Sequence, residues 1–346
     1  MKYHFLPDPK TLAAIVDTFK RKLQASYKKL LTTIYKETGH QQSQTILEKI
    51  VALPKENFSS ILTFYYHHTV RGINAGEHIP KLLSDLDLVL TFVKEKHHNS
   101  SFVVYETMPD TISHTILKTM GHSITDYNIS LRGLSKTEEI QAKQCLEQGT
   151  KYLWHSCPKM LENMRELVHQ IFFVGSDCPQ RHCVFSLTSA VTQGIVFING
   201  AYSPSWVFLL DKYVHEAAHA YLFLINQEEL LVLNDPKELY PSPLRQDKRP
   251  MEGVYHALFV LMRLLYAFSA IREKQELMES DSKEIITLMS MYSAGLERSY
   301  TTVMREGKLT PIARLLLEDG YDAVYRSQHK LCPIRKNATI SNPKGT

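Results

Sequence analysis

Residues 205–226 read SWVFLLDKYVHEAAHAYLFLIN, and this stretch decides the fold. Its apolar residues recur at helical spacing and no glycine or proline follows Pro204 within it, which predicts a long buried α-helix. At its centre is an HExxH motif. Positions i and i+4 share one helix face, so His215 and His219 can bind one metal ion with Glu216 beside the open coordination position. The alternative is a core helix that carries two histidines by chance.

A second helix is predicted to begin at Pro250, because proline suits a first helical turn. Residues 250–259 read PMEGVYHALF, in which Glu252 and His256 are four residues apart and share a face. Either side chain is a candidate third metal ligand. The alternative is that both are ordinary core or surface residues.

The segment from about Gln227 to Arg249 contains several prolines and predicts a loop. Two arginines, Arg245 and Arg249, lie near its end. A guanidinium can hold a carboxylate through two parallel hydrogen bonds, so either arginine could bind an acidic co-substrate beside the metal. The alternative is a structural ion pair with a neighbouring acid such as Asp247, and composition alone favours it.

Residues 178–200 differ in character from the helical segments, since they are rich in Val, Ile, Phe and Thr. They predict two or three strands of a small antiparallel sheet, most clearly at 184–189 and 195–198. A sheet edge near 184–198 could bind an extended peptide by strand addition beside the metal. The alternative is a hairpin that only packs on the HExxH helix.

The rest of the chain is predicted to be mostly helical, which gives a predominantly helical α+β fold. A helical N-terminal part is expected over 1–130, a metal-binding catalytic part over 131–330 and a tail over 331–346, although one continuous domain is also compatible. The exceptions to helix before the strand region are a short strand at 101–106 and a break near Pro158. Further helices are expected at 282–298 and 309–317.

Composition limits the function classes. The chain has 346 residues, of which 44% are hydrophobic and 22% charged, with a formal net charge of +4. These are ordinary globular values, and the charge is too small to indicate nucleic-acid binding. No signal peptide or membrane span is expected, because the longest apolar run, Val254–Ile271, contains His256 and Arg263. Five cysteines without regular spacing predict reduced thiols and a cytoplasmic protein.

The order of the motifs resembles the HExxH-type peptide β-hydroxylases. These are Fe(II)- and 2-oxoglutarate-dependent enzymes that modify ribosomally made peptides. The resemblance covers roughly residues 180–270. It depends on HExxH, then SPLRQDKRP at 242–250, then Gly253 to His256 at the start of the next helix. The block at 242–256 is the more specific part, because many zinc peptidases share HExxH.

The resemblance implies a zincin-like catalytic part with iron held by His215, His219 and, in preference to Glu252, His256. Glu252 stays the near alternative, because two histidines and one carboxylate are the usual ligand set of such oxygenases. The resemblance further implies that 2-oxoglutarate binds the iron, that its far carboxylate pairs with Arg245 or Arg249, and that the β-carbon of a peptide residue is hydroxylated. Glu216 would then orient a ligand or the substrate.

Two other functions stay open. In a zinc metallopeptidase of the glutamate-zincin type, His215, His219 and Glu252 would bind Zn²⁺ and Glu216 would be the general base. The longer metzincin pattern is absent, because Leu222 and Ile225 stand where it needs glycine and histidine. The third possibility is a binding module with a relict metal site.

Overall fold

A computed structural model describes residues 3–54, 57–58, 60–95, 103–104, 110–123, 130–177, 184–242 and 247–331. The described chain is mostly helical with small sheets, which confirms a predominantly helical α+β fold. The helices are α1 Pro9–Thr38, α2 Gln41–Ala52, α3 Ser60–Asn74, α4 Ile79–Glu95, α5 Asp110–Ser123, α6 Lys136–Ser156, α7 Pro158–Leu167, α8 Trp206–Asn226, α9 Met251–Lys274, α10 Glu279–Glu306 and α11 Pro311–Leu331.

The strands are β1 Val103–Val104, β2 Ser130–Arg132, β3 Gln170–Asp177, β4 Ser186–Leu187, β5 Ile195–Asn199, β6 Leu239–Pro241 and β7 Lys248–Pro250. The main sheet has the order β1-β3-β5-β4, and β2 also pairs with β3. The prediction of an antiparallel sheet was wrong for its centre, because β3 is parallel to both β1 and β5. Helices connect β1 to β3, and such long crossovers permit parallel pairing. The antiparallel pairing of β4 with β5 was correct.

The two faces of the main sheet belong to two apolar cores. Strand side chains alternate between faces, so neighbouring residues of β3 enter different cores. Phe173 packs with α6–α9, whereas Phe172 packs with the N-terminal helices and stacks on Phe197 at a ring-centroid distance of 5.2 Å. The first residues of the chain, including Phe5, lie in the core formed by α6–α9. The domain boundary near residue 130 stays a prediction.

Local sequence signals explain where the central helices begin. Ser205 caps α8, since its hydroxyl accepts hydrogen bonds from the backbone N–H groups of Val207 and Phe208. Pro158 is the first residue of α7, which accounts for the predicted break. Pro250 directly precedes α9 as its N-cap residue. Helix α9 therefore begins one residue after the predicted start at Pro250, and α8 begins soon after Pro204, the last helix-breaking residue before the motif.

Three features of the structure differ from the sequence predictions. The central strand β3, which includes the apolar run Ile171–Val174, was not predicted as a strand. The expected loop at 227–249 contains β6 and the first residues of β7, which pair as a hairpin. The predicted tail begins at 331, but α11 continues to Leu331, and residues 332–346 lie outside the described part.

Helix α9 is, within the described residues, long and apolar enough to span a membrane by length and composition. Most of its apolar length is buried inside the protein, as in the core helix of a soluble protein. Arg263 lies in this core with 1% of its surface exposed. Its Nη1 donates to the Phe5 carbonyl at 2.8 Å and its guanidinium lies over the Phe5, Tyr221 and Phe259 rings. These contacts attach the N-terminal segment to α8 and α9.

Candidate metal centre

Helix α8 is buried except along one stripe. Fifteen of its residues are buried, and the half-buried residues follow each other at intervals of three or four, which places them on one face. They are Phe208, Lys212, His215, His219, Phe223 and Asn226. We call this set the α8 stripe. Both histidines of the HExxH motif therefore lie on the single face of the helix that a ligand can reach.

His256 of α9 meets His219 of α8 across the helix interface. Their Nδ1 atoms are 3.1 Å apart and their rings are stacked with centroids 5.4 Å apart. Two nitrogens bound to one ion at about 2.1 Å, at tetrahedral or right angles, lie about 3.0–3.4 Å apart. The two imidazoles therefore have the spacing of ligands that share an ion, and in the metal-free state they can share a hydrogen bond.

The environment of His256 also suits a metal ligand. The residue is 6% exposed, and its Nε2 has no hydrogen-bond partner within the described part of the chain. A buried polar atom without a partner costs about 1–3 kcal/mol, which coordination through Nε2 would remove and coordination through Nδ1 would not. Burial lowers the pKa of His219 and of His256 to about 3, with a further contribution from His215 at His219 and from His219 at His256. Both rings are therefore neutral near pH 7.

His215 is close to this pair but does not complete a ready ligand set. Its ring centroid lies 4.9 Å from that of His219, with the planes at 61°. Among the described residues, no three His, Cys, Asp or Glu side chains are grouped so that they could hold a metal ion. His215 is half-buried on the same stripe, one helical turn before His219.

Glu252 points away from the imidazoles. It is exposed at the start of α9, and its Oε1 accepts a hydrogen bond of 2.8 Å from Nδ2 of Asn226. Asn226 is two helical turns beyond His219 on α8. Of the two candidate third ligands, the structure thus brings His256 to the histidine pair and leaves Glu252 at the end of the stripe.

Glu216 is buried behind the stripe, with 3% of its surface exposed. Its carboxyl group accepts hydrogen bonds from the Ser186 hydroxyl and the Thr188 backbone N–H. Both donors lie on or directly after β4, so Glu216 connects α8 to the edge of the sheet. Burial raises the pKa of Glu216 to about 7, although these hydrogen bonds and Lys212 oppose the shift.

Glu216→Gln should make the metal-free protein more stable at pH 8 than the wild type, by up to about 3 kcal/mol. The folded-state pKa is about 7, above the ordinary value of 4.5. Wild-type stability is therefore full below pH 4.5 and falls as the pH rises through 7, whereas glutamine does not titrate. Chelator-treated protein unfolded in urea at pH 5 and pH 8 measures the difference. An equal gain at both pH values would contradict the prediction.

The structure describes one of the two predicted arginines. Arg249 lies in β7, half-buried, and its Nε donates to Oδ2 of Asp247 at 2.8 Å. This is the structural pairing that composition favoured. Arg245 lies outside the described residues.

Sequence reasoning missed other members of the site. The Phe223 ring stacks on His219 at a centroid distance of 6.1 Å and packs on His256 at 5.4 Å. It is four residues after His219, so helical spacing alone could have identified it. No sequence pattern identified Ser186 and Thr188 as part of the site, because their contact with Glu216 depends on how β4 packs against α8.

Buried polar contacts fix the position of α8. Asp211 accepts hydrogen bonds from the Tyr292 hydroxyl of α10 and from Nζ of Lys212, the latter at 2.6 Å. Trp206 Nε1 donates to Asp281 at 2.7 Å. The bonds to Tyr292 and Asp281 tie the first half of α8 to α10.

No protein-family model matches the chain, and no curated protein is significantly similar to it. Inferences about its function therefore depend on the motifs and on the geometry described above.

Proposed function

We propose that the chain is an Fe(II)- and 2-oxoglutarate-dependent hydroxylase that acts on the β-carbon of a residue in a peptide, with iron held by His215, His219 and His256. The carrying observation is the 3.1 Å approach of the His219 and His256 Nδ1 atoms across two helices. The position of both motif histidines on the one accessible stripe of α8 supports it. The order of HExxH and the block at 242–256 suggests the cofactor class.

The surrounding residues would keep the metal-binding imidazoles uncharged, hold them in position and exclude water from them. The imidazoles of His219 and His256 present lone pairs near pH 7, because burial lowers their pKa values. Phe223 covers both rings and excludes water from one side. When bound, Fe(II) with 2-oxoglutarate supplies the oxidising power to insert one atom of O₂ into a C–H bond, and 2-oxoglutarate is converted to succinate and CO₂.

The peptide substrate is proposed to add a strand at β4. This refines the predicted region 184–198, because β5 is already paired on both sides and β4 is at the end of the strand order. Ser186 and Thr188 connect β4 to Glu216, so a peptide at this edge would pass beside the metal helix. We further propose a cytoplasmic protein without nucleic-acid or membrane partners. Cys145 and Cys157 are free thiols, in keeping with a reducing compartment.

One observation favours a zinc metallopeptidase as the second candidate. Glu216 has a pKa near 7, which suits a general base that takes a proton from metal-bound water. The glutamate-zincin ligand set is less well supported, because Glu252 bonds to Asn226 instead of facing the histidines. A binding module with a relict metal site is the remaining alternative.

The function is tested by adding Fe(II) and 2-oxoglutarate to the protein without oxygen. The hydroxylase should develop a weak visible absorption band, and admission of air should form succinate. Candidate peptides should gain one oxygen atom by mass spectrometry. Absence of the band, together with chelator-sensitive peptide cleavage by the zinc-loaded protein, would contradict the proposal in favour of a peptidase.

Loss of the arginine that holds the far carboxylate of 2-oxoglutarate should weaken its binding about 10- to 100-fold, the worth of a charge-assisted hydrogen-bond pair. Arg245→Ala and Arg249→Ala should be compared by titrating the absorption band. Asp247→Asn is the matched control, because it removes the partner of Arg249 and leaves both guanidinium groups in place. If neither arginine variant changes 2-oxoglutarate affinity, the carboxylate is bound elsewhere.

A further inference from the structure

A cavity of about 300 Å³ lies at the end of the α8 stripe. Its walls are mostly apolar and come from the segment after α8 and from the start of α9. They are formed by Leu230, Val232, Leu233, Asn234, Pro236, Pro250, Met251 and Glu252. Glu252 connects the cavity to the stripe, because it is bonded to Asn226, the last half-buried residue of α8. The cavity therefore adjoins the end of the helix face that carries His215 and His219.

The charge of this cavity is negative. Glu252 is the ionisable residue among its lining side chains. Asn234, also in the wall, donates to the Tyr240 hydroxyl at 3.0 Å, and that hydroxyl donates to Glu238 at 2.6 Å. The described residues 227–242 and 247–252 contain six acidic and three basic residues, and one of the acids, Glu228, pairs with Lys22 of α1 at 2.8 Å. Arg249 does not offset Glu252, since it pairs with Asp247.

The exposure of the wall suggests that it accepts a partner. Leu230 and Leu233 are 59% and 56% exposed, although both border a concave site. Exposed apolar side chains around a cavity next to a candidate reaction centre mark a surface that binds another molecule. A long aliphatic stem with a cationic end matches apolar walls with a carboxylate.

We propose that this cavity binds a lysine or arginine side chain of the peptide substrate. The inference rests on the proposed function for the identity of the substrate as a peptide. Asn226 follows His219 by seven residues, which is about 10 Å along a helix. An extended peptide rises about 3.3 Å per residue, so the basic residue is about three positions from the residue that reacts. Glu252 is then a specificity-determining residue and not a metal ligand.

The test uses the full-length chain loaded with Zn²⁺ as a redox-inactive ion and a random library of octapeptides with acetylated and amidated ends. Because acetylation and amidation remove the terminal charges, the charge of each peptide comes from its side chains. Peptides retained by wild type should be enriched in lysine or arginine at one position, by about tenfold over norleucine. Glu252→Gln should remove this enrichment, because it keeps an acceptor for Asn226 and loses the charge.

Two further variants sharpen the result. Glu229→Gln changes an exposed acid that does not line the cavity and should keep the enrichment. Leu233→Arg, at an exposed position, should lower the retention of basic peptides by placing a cation in the cavity. Equal enrichment by wild type and Glu252→Gln, no basic preference in wild type, or no retained peptide would overturn the inference.

Failure of the proposed function would give results different from those that overturn the cavity inference. Loss of Fe(II) binding by Glu252→Gln would place Glu252 on the metal, which overturns both the ligand set and this inference. If 2-oxoglutarate is never converted to succinate but the Glu252-dependent enrichment is found, the hydroxylase proposal fails and the cavity stands as a site for basic side chains.

Discussion

Replacing His256 with leucine should lower the affinity for Fe(II) by more than about 100-fold, since even residues that only orient a metal ligand change affinity about 10- to 100-fold. His256 is buried, and its Nδ1 lies 3.1 Å from that of His219. Leucine fills a similar volume without a donor atom. Competition with a chromophoric chelator under anaerobic conditions measures the affinity, and circular dichroism checks the fold.

Glu252→Gln is the matched variant for the rival third ligand. It should change Fe(II) affinity by no more than about threefold, because an exposed carboxylate off the metal acts only through a screened charge. Glu252 is bonded to Asn226 in the structure, and glutamine retains an acceptor for that bond. The opposite order, with Glu252→Gln losing the metal and His256→Leu keeping it, would establish the ligand set of a glutamate-zincin.

Replacing Glu216 with glutamine should separate the two candidate chemistries by orders of magnitude. As a general base in peptide hydrolysis, Glu216 would contribute about 10²- to 10⁴-fold to the rate. In the hydroxylase no proton has to be taken from a nucleophilic water, and Glu216 is bound to Ser186 and Thr188 of the sheet edge. Conversion of 2-oxoglutarate to succinate by Glu216→Gln should therefore remain within about tenfold of wild type.

Two controls accompany this comparison. His219→Ala should abolish succinate formation, which shows that the activity depends on the site. Glu216→Asp keeps a carboxyl group but shortens its reach to β4. This variant should have a lower free energy of unfolding than the wild type and should show no peptide hydrolysis. Peptide cleavage by the zinc-loaded wild type that disappears in Glu216→Gln would contradict the hydroxylase and identify Glu216 as the base.

The elements around the site could be predicted because their signals are local. Pro250 marks the start of α9 through first-turn chemistry, which depends on a few adjacent residues. The four-residue spacing of His215 and His219 places both on one helix face whatever surrounds it. The same i, i+4 spacing identified Glu252 and His256 on the next long helix as candidate third ligands.

What could not be predicted depends on tertiary packing. Ile171–Val174 in β3 is a short continuous apolar run, which periodicity alone cannot distinguish from a buried helix segment. The choice between His256 and Glu252 was open because both lie on one face of α9, and only the crossing of α9 against α8 turns His256 inward. Ser186 could not be connected to Glu216, because 30 residues and the sheet register separate them.

The central claim, that imidazoles from two helices hold one ion, is tested most directly by crystals of the chain grown anaerobically with Fe(II) and 2-oxoglutarate. An anomalous-difference map at the iron edge should show one peak about 2.1 Å from nitrogens of His215, His219 and His256. Glu252 should remain on Asn226. A peak bound to Glu252, or no peak within reach of the His219–His256 pair, would contradict the account.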